Sequence, residues 1–120
     1  MILFVGDTPS KRTHPTIAFR GAACEARLAH WIALVAFDEP FILINRTDIE
    51  FDRTLTMCLT TGVTIIALGL HARKALGSVG HFMLPHPSGR NRLLNDKVWL
   101  ASQLHLCKNY IKASKDKGTT

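Results

Sequence analysis

The chain opens on Ile2-Leu3-Phe4-Val5, a continuous apolar run that stops at Gly6. A run without polar alternation suits a strand buried on both faces, as in a parallel sheet. Two similar runs follow. Phe41 to Ile44 ends at Asn45-Arg46, and Val63 to Leu68, rich in β-branched residues, is the clearest strand of the chain. His81-Phe82-Met83-Leu84-Pro85 predicts a short fourth strand. Helical patterns lie between these runs. The Ala- and Leu-rich stretch from Ala22 to about Phe37 predicts a buried helix ending before Glu39-Pro40, because the residue before a proline disfavours helical backbone. A helix over roughly residues 49–60 would start from Thr47 or Asp48 and close at Gly62, although its threonines weaken it. A short helix is predicted from His71 to Leu76, before Gly77, and a long one from Asn91 to Lys115. In that last helix Leu93, Leu100, Leu104, Cys107 and Ile111 fall along one face.

Strands alternating with helices predict an α/β fold: a three-layer sandwich around a central four-stranded parallel sheet, formed as a single domain by residues 1–120. Residues 6–21 hold Gly6, Pro9, Pro15 and Gly21 among polar residues and read as a long loop, a kind of segment that in compact domains usually serves function. In a parallel sheet the carboxyl ends of the strands share one edge, and ligands bind there. Three loops leaving that edge carry unusual chemistry: Gly6-Asp7-Thr8-Pro9-Ser10, Asn45-Arg46-Thr47-Asp48 and His86-Pro87-Ser88-Gly89-Arg90. Their convergence is the main functional signal of the sequence.

Composition narrows the classes. With 120 residues, 47% hydrophobic and 20% charged, the chain has length for one core and too much apolar content for disorder. No apolar run reaches the roughly 18 residues of a membrane span, and the N-terminus lacks the features of a secretory signal. A soluble intracellular protein is therefore expected, cytoplasmic or nucleoid-associated, not secreted and without a membrane partner. Cys24, Cys58 and Cys107 are odd in number and far apart, so they offer neither a disulfide framework nor a C-x-x-C pair. The six histidines show no zinc spacing, and phosphate-loop, dinucleotide and nucleophile-elbow motifs are missing, so neither metal nor cofactor is expected. Fifteen Lys and Arg against nine Asp and Glu give a net charge of +6, which favours a polyanionic partner. The positive charge gathers in Lys11, Arg12 and Arg20, in Arg90 and Arg92, and in Lys108, Lys112, Lys115 and Lys117. The last group also suits a solvated helix end beside the negative pole of the helix dipole.

Each candidate residue has two readings. Asp7 either forms a turn or presents a carboxylate at the mouth of the sheet. Asn45 either turns the chain or offers the paired donor and acceptor that match the edge of a nucleobase. His86, between Pro85 and Pro87, is either an ordinary surface residue or a group held in stiffened backbone for chemistry. Ser88 and Gly89 either cap a helix or present a hydroxyl and N–H groups to a phosphate.

Taken together, the loops resemble the uracil-DNA glycosylase superfamily. Gly6-Asp7-Thr8-Pro9-Ser10 is similar to its first motif, and His86-Pro87-Ser88-Gly89 to its late His-Pro-Ser motif. Between them, Ala18-Phe19-Arg20-Gly21, Phe41-Ile42-Leu43-Ile44-Asn45 and Ala67-Leu68-Gly69-Leu70-His71-Ala72 are similar, in order, to three further conserved segments of that superfamily. The resemblance runs over roughly residues 2–100. It implies a uracil-DNA glycosylase-like fold and a monofunctional DNA glycosylase that flips its target base out of single- or double-stranded DNA. It implies catalytic roles for Asp7 and His86 and a base pocket of Gly6, Thr8, Phe19 and Asn45. Phe19 would stack on the base and Asn45 would bond its Watson–Crick edge. Ser10, Ser88, Gly89, Arg90 and Arg92 would hold the DNA backbone. The protein is expected to act as a monomer. Thr8 and the basic loop after Gly89 depart from the family pattern and motivate a second expectation: an enzyme of the same fold acting on another N-glycosidic or nucleotide bond, as in base modification. The net charge motivates a third, a non-catalytic nucleic-acid-binding module. A small α/β domain whose loops merely cap helices is the fourth.

Overall fold

The computed structural model describes residues 1–7, 25–88 and 91–118, with side chains to residue 115. Thr8, Ser10, Phe19, Gly89 and Arg90 lie outside the described residues, as does Cys24. The elements alternate as the apolar pattern predicts: β1 (Ile2–Gly6), α1 (Glu25–Val35), β2 (Phe41–Asn45), α2 (Phe51–Thr61), β3 (Thr64–Leu68), α3 (Leu70–Leu76), β4 (Phe82–Leu84) and α4 (Lys97–Gly118). The strands form one parallel sheet in the order β2-β1-β3-β4.

Both faces of the sheet are covered, which is why β1 and β3 read as unbroken apolar runs. Successive residues point to opposite faces. Ile2, Phe4, Ile66 and Leu68 join Leu28, Trp31 and Val35 of α1 and Cys107 and Ile111 of α4. Leu3, Val5, Ile65 and Ala67 join Phe51 and Cys58 of α2 and Ala72 and Leu76 of α3. The side each helix takes follows the direction of travel. The step from β1 to β2 is covered by α1, while the opposite steps, β2 to β3 and β3 to β4, are covered by α2 and α3 on the other face. Crossovers of a single hand require this arrangement. The reversal of direction falls between β1 and β3 and creates a topological switch point at their carboxyl ends.

Local chemistry sets the boundaries. Asp48 Oδ1 accepts the N–H of Glu50 at 2.9 Å, so Asp48 makes a turn and α2 begins at Phe51, two residues later than its pattern suggests. The α2 threonines are accommodated because Thr56, Thr60 and Thr61 donate to carbonyls one turn back, at 2.9, 2.9 and 3.1 Å. Gly62 ends the helix with φ 73° and ψ 32°, the left-handed conformation that suits glycine. Strand β4 is shorter than expected, since Pro85 has no N–H to extend the ladder.

The predicted final helix is in fact two pieces. A 3-10 turn spans Arg92–Asn95, and Asp96, with φ −86° and ψ 92°, interrupts it. Asp96 Oδ1 then accepts the N–H of Trp99 at 2.9 Å and caps α4. Leu93, on the 3-10 turn, is consequently 56% exposed and leaves the apolar face on which Cys107 and Ile111 are buried. Leu94 packs against the core instead. No helix among the described residues is long and apolar enough to cross a membrane.

Candidate functional site

The carboxyl edge of the sheet brings together Asn45 and Arg46 from β2, Gly6 and Asp7 from β1, Gly69 from β3, and Pro85 to Ser88 from β4. Gly6 and Asn45 are register partners at the last rung of the β1–β2 ladder. Asn45 is buried, an unusual state for an amide that a merely turn-forming residue would leave in solvent. One residue on, Arg46 donates its backbone N–H to the Gly6 carbonyl at 2.9 Å and its Nε–H to Asp7 Oδ1 at 2.6 Å. Both side chains are about one-third exposed or less, at 32% and 25%. Asp7 therefore does not form a solitary turn. Its carboxylate is held across two strands by a guanidinium that sequence reasoning did not single out, although Arg46 stands directly after the base-reading candidate.

His86 approaches from the far side of the sheet. Gly69, with φ 97°, opens α3 at the end of β3, and a Cβ built there would lie 3.1 Å from the His86 Cβ. The bare glycine lets the loop after β4 fold over the end of β3, one strand from Asp7. Bonds among the described residues anchor that loop. Arg27 Nη1 of α1 donates to the Pro87 carbonyl at 3.0 Å, Asn91 Nδ2 to the His86 carbonyl at 3.0 Å, and the Asn91 N–H to the Ser88 carbonyl at 3.0 Å.

The loop also sets the tautomer of His86. The Ser88 N–H donates to His86 Nδ1 at 3.1 Å. A ring nitrogen that accepts carries no proton, so the neutral imidazole bears its proton on Nε2 and acts there as a donor. Burial pushes its pKa below 6.5, with His71 adding to the shift and the Asp7 carboxylate opposing it. His86 is thus a neutral donor at physiological pH.

No family model matches this chain, and no curated protein or solved structure matches it either. Ser88 spends its backbone N–H within its own loop, and the helix behind it starts only at Lys97, so that N–H is not aimed at a phosphate by a helix terminus. Arg92 is exposed on the 3-10 turn that follows. Among the described residues no three His, Cys, Asp or Glu side chains gather as metal ligands. Cys107 is no nucleophile, because burial pushes its thiol up to about 12. The chemistry on offer is a neutral donor at His86, a carboxylate acceptor at Asp7 and a two-edged amide at Asn45.

The depressed His86 pKa has a measurable consequence for stability. Below 6.5 the unfolded chain takes up a proton that the folded protein resists, so stability falls as pH drops from 6.5 toward the folded value and this contribution is constant below it. A lower melting temperature at pH 5.5 than at pH 7.5 is expected, with a shallower slope in His86→Gln. Identical slopes in the two proteins would show that His86 titrates normally.

Proposed function

We propose that the chain is a DNA glycosylase of uracil-DNA glycosylase-like fold, hydrolysing the N-glycosidic bond of uracil or a related modified base after the base is flipped from the stack. The observation that carries this reading is the neutral His86, its proton on Nε2, over the end of β3 and one strand from the Asp7 carboxylate. Cleavage of an N-glycosidic bond leaves negative charge on the departing base and positive charge on the sugar. The Nε2–H of His86 would donate to a base oxygen as that charge develops, and a fixed donor of this kind acts without reorganising in the transition state. Asp7 would orient water toward C1′ and offset the sugar cation, and Asn45 would pair with the base edge. The C1′–N bond breaks as the water oxygen bonds to C1′. Asp7 takes up the proton that water loses, the base leaves as an anion that gains a proton from solvent, and an abasic site remains. Arg46 would hold the Asp7 carboxylate in place through its Nε–H. DNA is the partner, and the protein acts as a monomer. Thr8, Phe19, Ser10, Gly89 and Arg90 keep the pocket and backbone roles that the resemblance implies.

One observation favours the alternative, a non-catalytic nucleic-acid-binding or base-modification protein built on the same fold. A carboxylate already paired with Arg46 presents a weaker field to a sugar cation than a solitary one. Base release decides between them. Single- and double-stranded oligonucleotides carrying one uracil, hypoxanthine or 5-hydroxymethyluracil are incubated with the protein and then with hot alkali. A cut at one lesion, lost in Asp7→Asn, is the expected result. Intact oligonucleotides that remain bound by folded protein would support the alternative.

A further inference from the structure

The edge of the sheet opposite the candidate site carries a second feature. Helix α4 runs back along the sheet from the site, so that Tyr110 packs on Phe82, the first residue of β4, with ring centroids 5.6 Å apart. There the end of α1 and the second half of α4 bound a groove of about 520 Å³, within the range of ligand clefts. Its floor is buried Val35 and Ile111, and Phe37, Lys108 and Lys112 rise around it. Lys115 bonds Glu39 across one end and ties α4 to the chain entering β2. The site residues lie beyond the five-residue strands, about 15 Å away.

Two features set this groove apart from a solvated helix end. The helix-dipole effect fades within the last turn. Yet Lys108 and Lys112 stand ten and six residues before Gly118, and neither is ion-paired with a described residue. The ring of Phe37, beside Asp38 at φ 61°, lines the groove and is 77% exposed, so its face is open to a stacking partner. Lysines around an exposed ring are the parts used to bind single strands, with phosphates on the cations and a base on the ring. A duplex keeps its bases stacked inside and would leave the ring unused. The flat anionic surface of a membrane would not use the concavity.

The geometry points to a second binding site: a track for single-stranded DNA, independent of any lesion, with phosphates on Lys108 and Lys112 and one base on Phe37. The choice of DNA over RNA rests on the function proposed above. The groove itself does not.

The test is anisotropy titration of a labelled oligothymidylate, free of lesions, against the full chain at several salt concentrations. Lys108→Glu with Lys112→Glu is expected to weaken binding at least tenfold. It should also lower the log–log salt slope by about 1.4, which corresponds to two single-strand phosphate contacts. Phe37→Ala is expected to cost about tenfold at unchanged slope, as the loss of one stacked base does. Reversing two exposed charges on the other face of the sheet, Arg73→Glu with Lys74→Glu, should change little and controls for net charge. Equal losses in that control, or unchanged binding in the folded Lys variants, would overturn the track. So would tighter binding of oligouridylate, or Lys-dependent capture of phosphatidylserine vesicles without DNA binding. Lys-dependent oligothymidylate binding by a protein that releases no base would leave the track standing while the glycosylase reading fell.

Discussion

Replacing His86 with Ala is expected to lower base release by about 10²–10³-fold, the loss measured when a fixed donor to a developing anion is removed. The fall should lie mainly in kcat, because a donor that strengthens only as charge develops contributes little to ground-state binding. Stability should change far less. The half-buried ring gives up the bond it accepts from the Ser88 N–H, a loss of about 1 kcal/mol. His86→Gln, which keeps a donor but moves it, should recover part of the rate. A variant His86→Ala that stays folded and cleaves within threefold of the parent would remove His86 from the chemistry.

The sheet was legible in the sequence because its strands are buried on both faces. Ile2 to Val5 and Thr64 to Leu68 have no polar face to keep in water, so their runs are unbroken. Helix ends set by glycine were legible for an equally local reason, as at Gly62, where the left-handed turn needs no distant partner. The single final helix failed because Asn91 and Asp96 are capping residues inside an apolar period. Periodicity registers Leu93 as a core position, while the cap at Asp96 rotates it outward.

The site divides in the same way. Asp7, Asn45 and His86 could be placed on one edge because each closely follows or ends a recognisable strand. The groups that hold them could not. Arg46 reaches Asp7 across 39 residues and Arg27 reaches Pro87 across 60, contacts that only the strand order creates. Gly69 stands shortly before the helix that the sequence predicts from His71, and its use in making room for His86 exists only once β3 and β4 are neighbours. The sequence signal for Arg46 was available, since a charge directly after a buried strand end must find a partner or solvent.

Phe4→Ala is expected to destabilise the protein by about 3–5 kcal/mol, a large part of the roughly 5–15 kcal/mol that a domain of this kind possesses. Phe4 lies in the middle of β1, paired with Leu43 on one side and Ile66 on the other. Its ring is 1% exposed and meets Phe41 edge-on at 6.0 Å, so the cavity would be enclosed by strands and by α1 and could not collapse cheaply. Phe4→Leu, which keeps most of the volume, should cost far less, about 1.5 kcal/mol or below. Denaturant unfolding measures both, and a loss under about 1 kcal/mol for Phe4→Ala would mean that β1 is not packed against α1 and α4 on that face. The comparison with His86 separates scaffold from chemistry. Phe4→Ala should lose activity only in proportion to its unfolded fraction and regain it on cooling toward the temperature of maximum stability. His86→Ala should stay folded and inactive at every temperature. Since Asp7 extends directly from the strand that Phe4 anchors, a Phe4→Ala protein that is fully folded yet inactive would show that the core also sets the aim of the carboxylate.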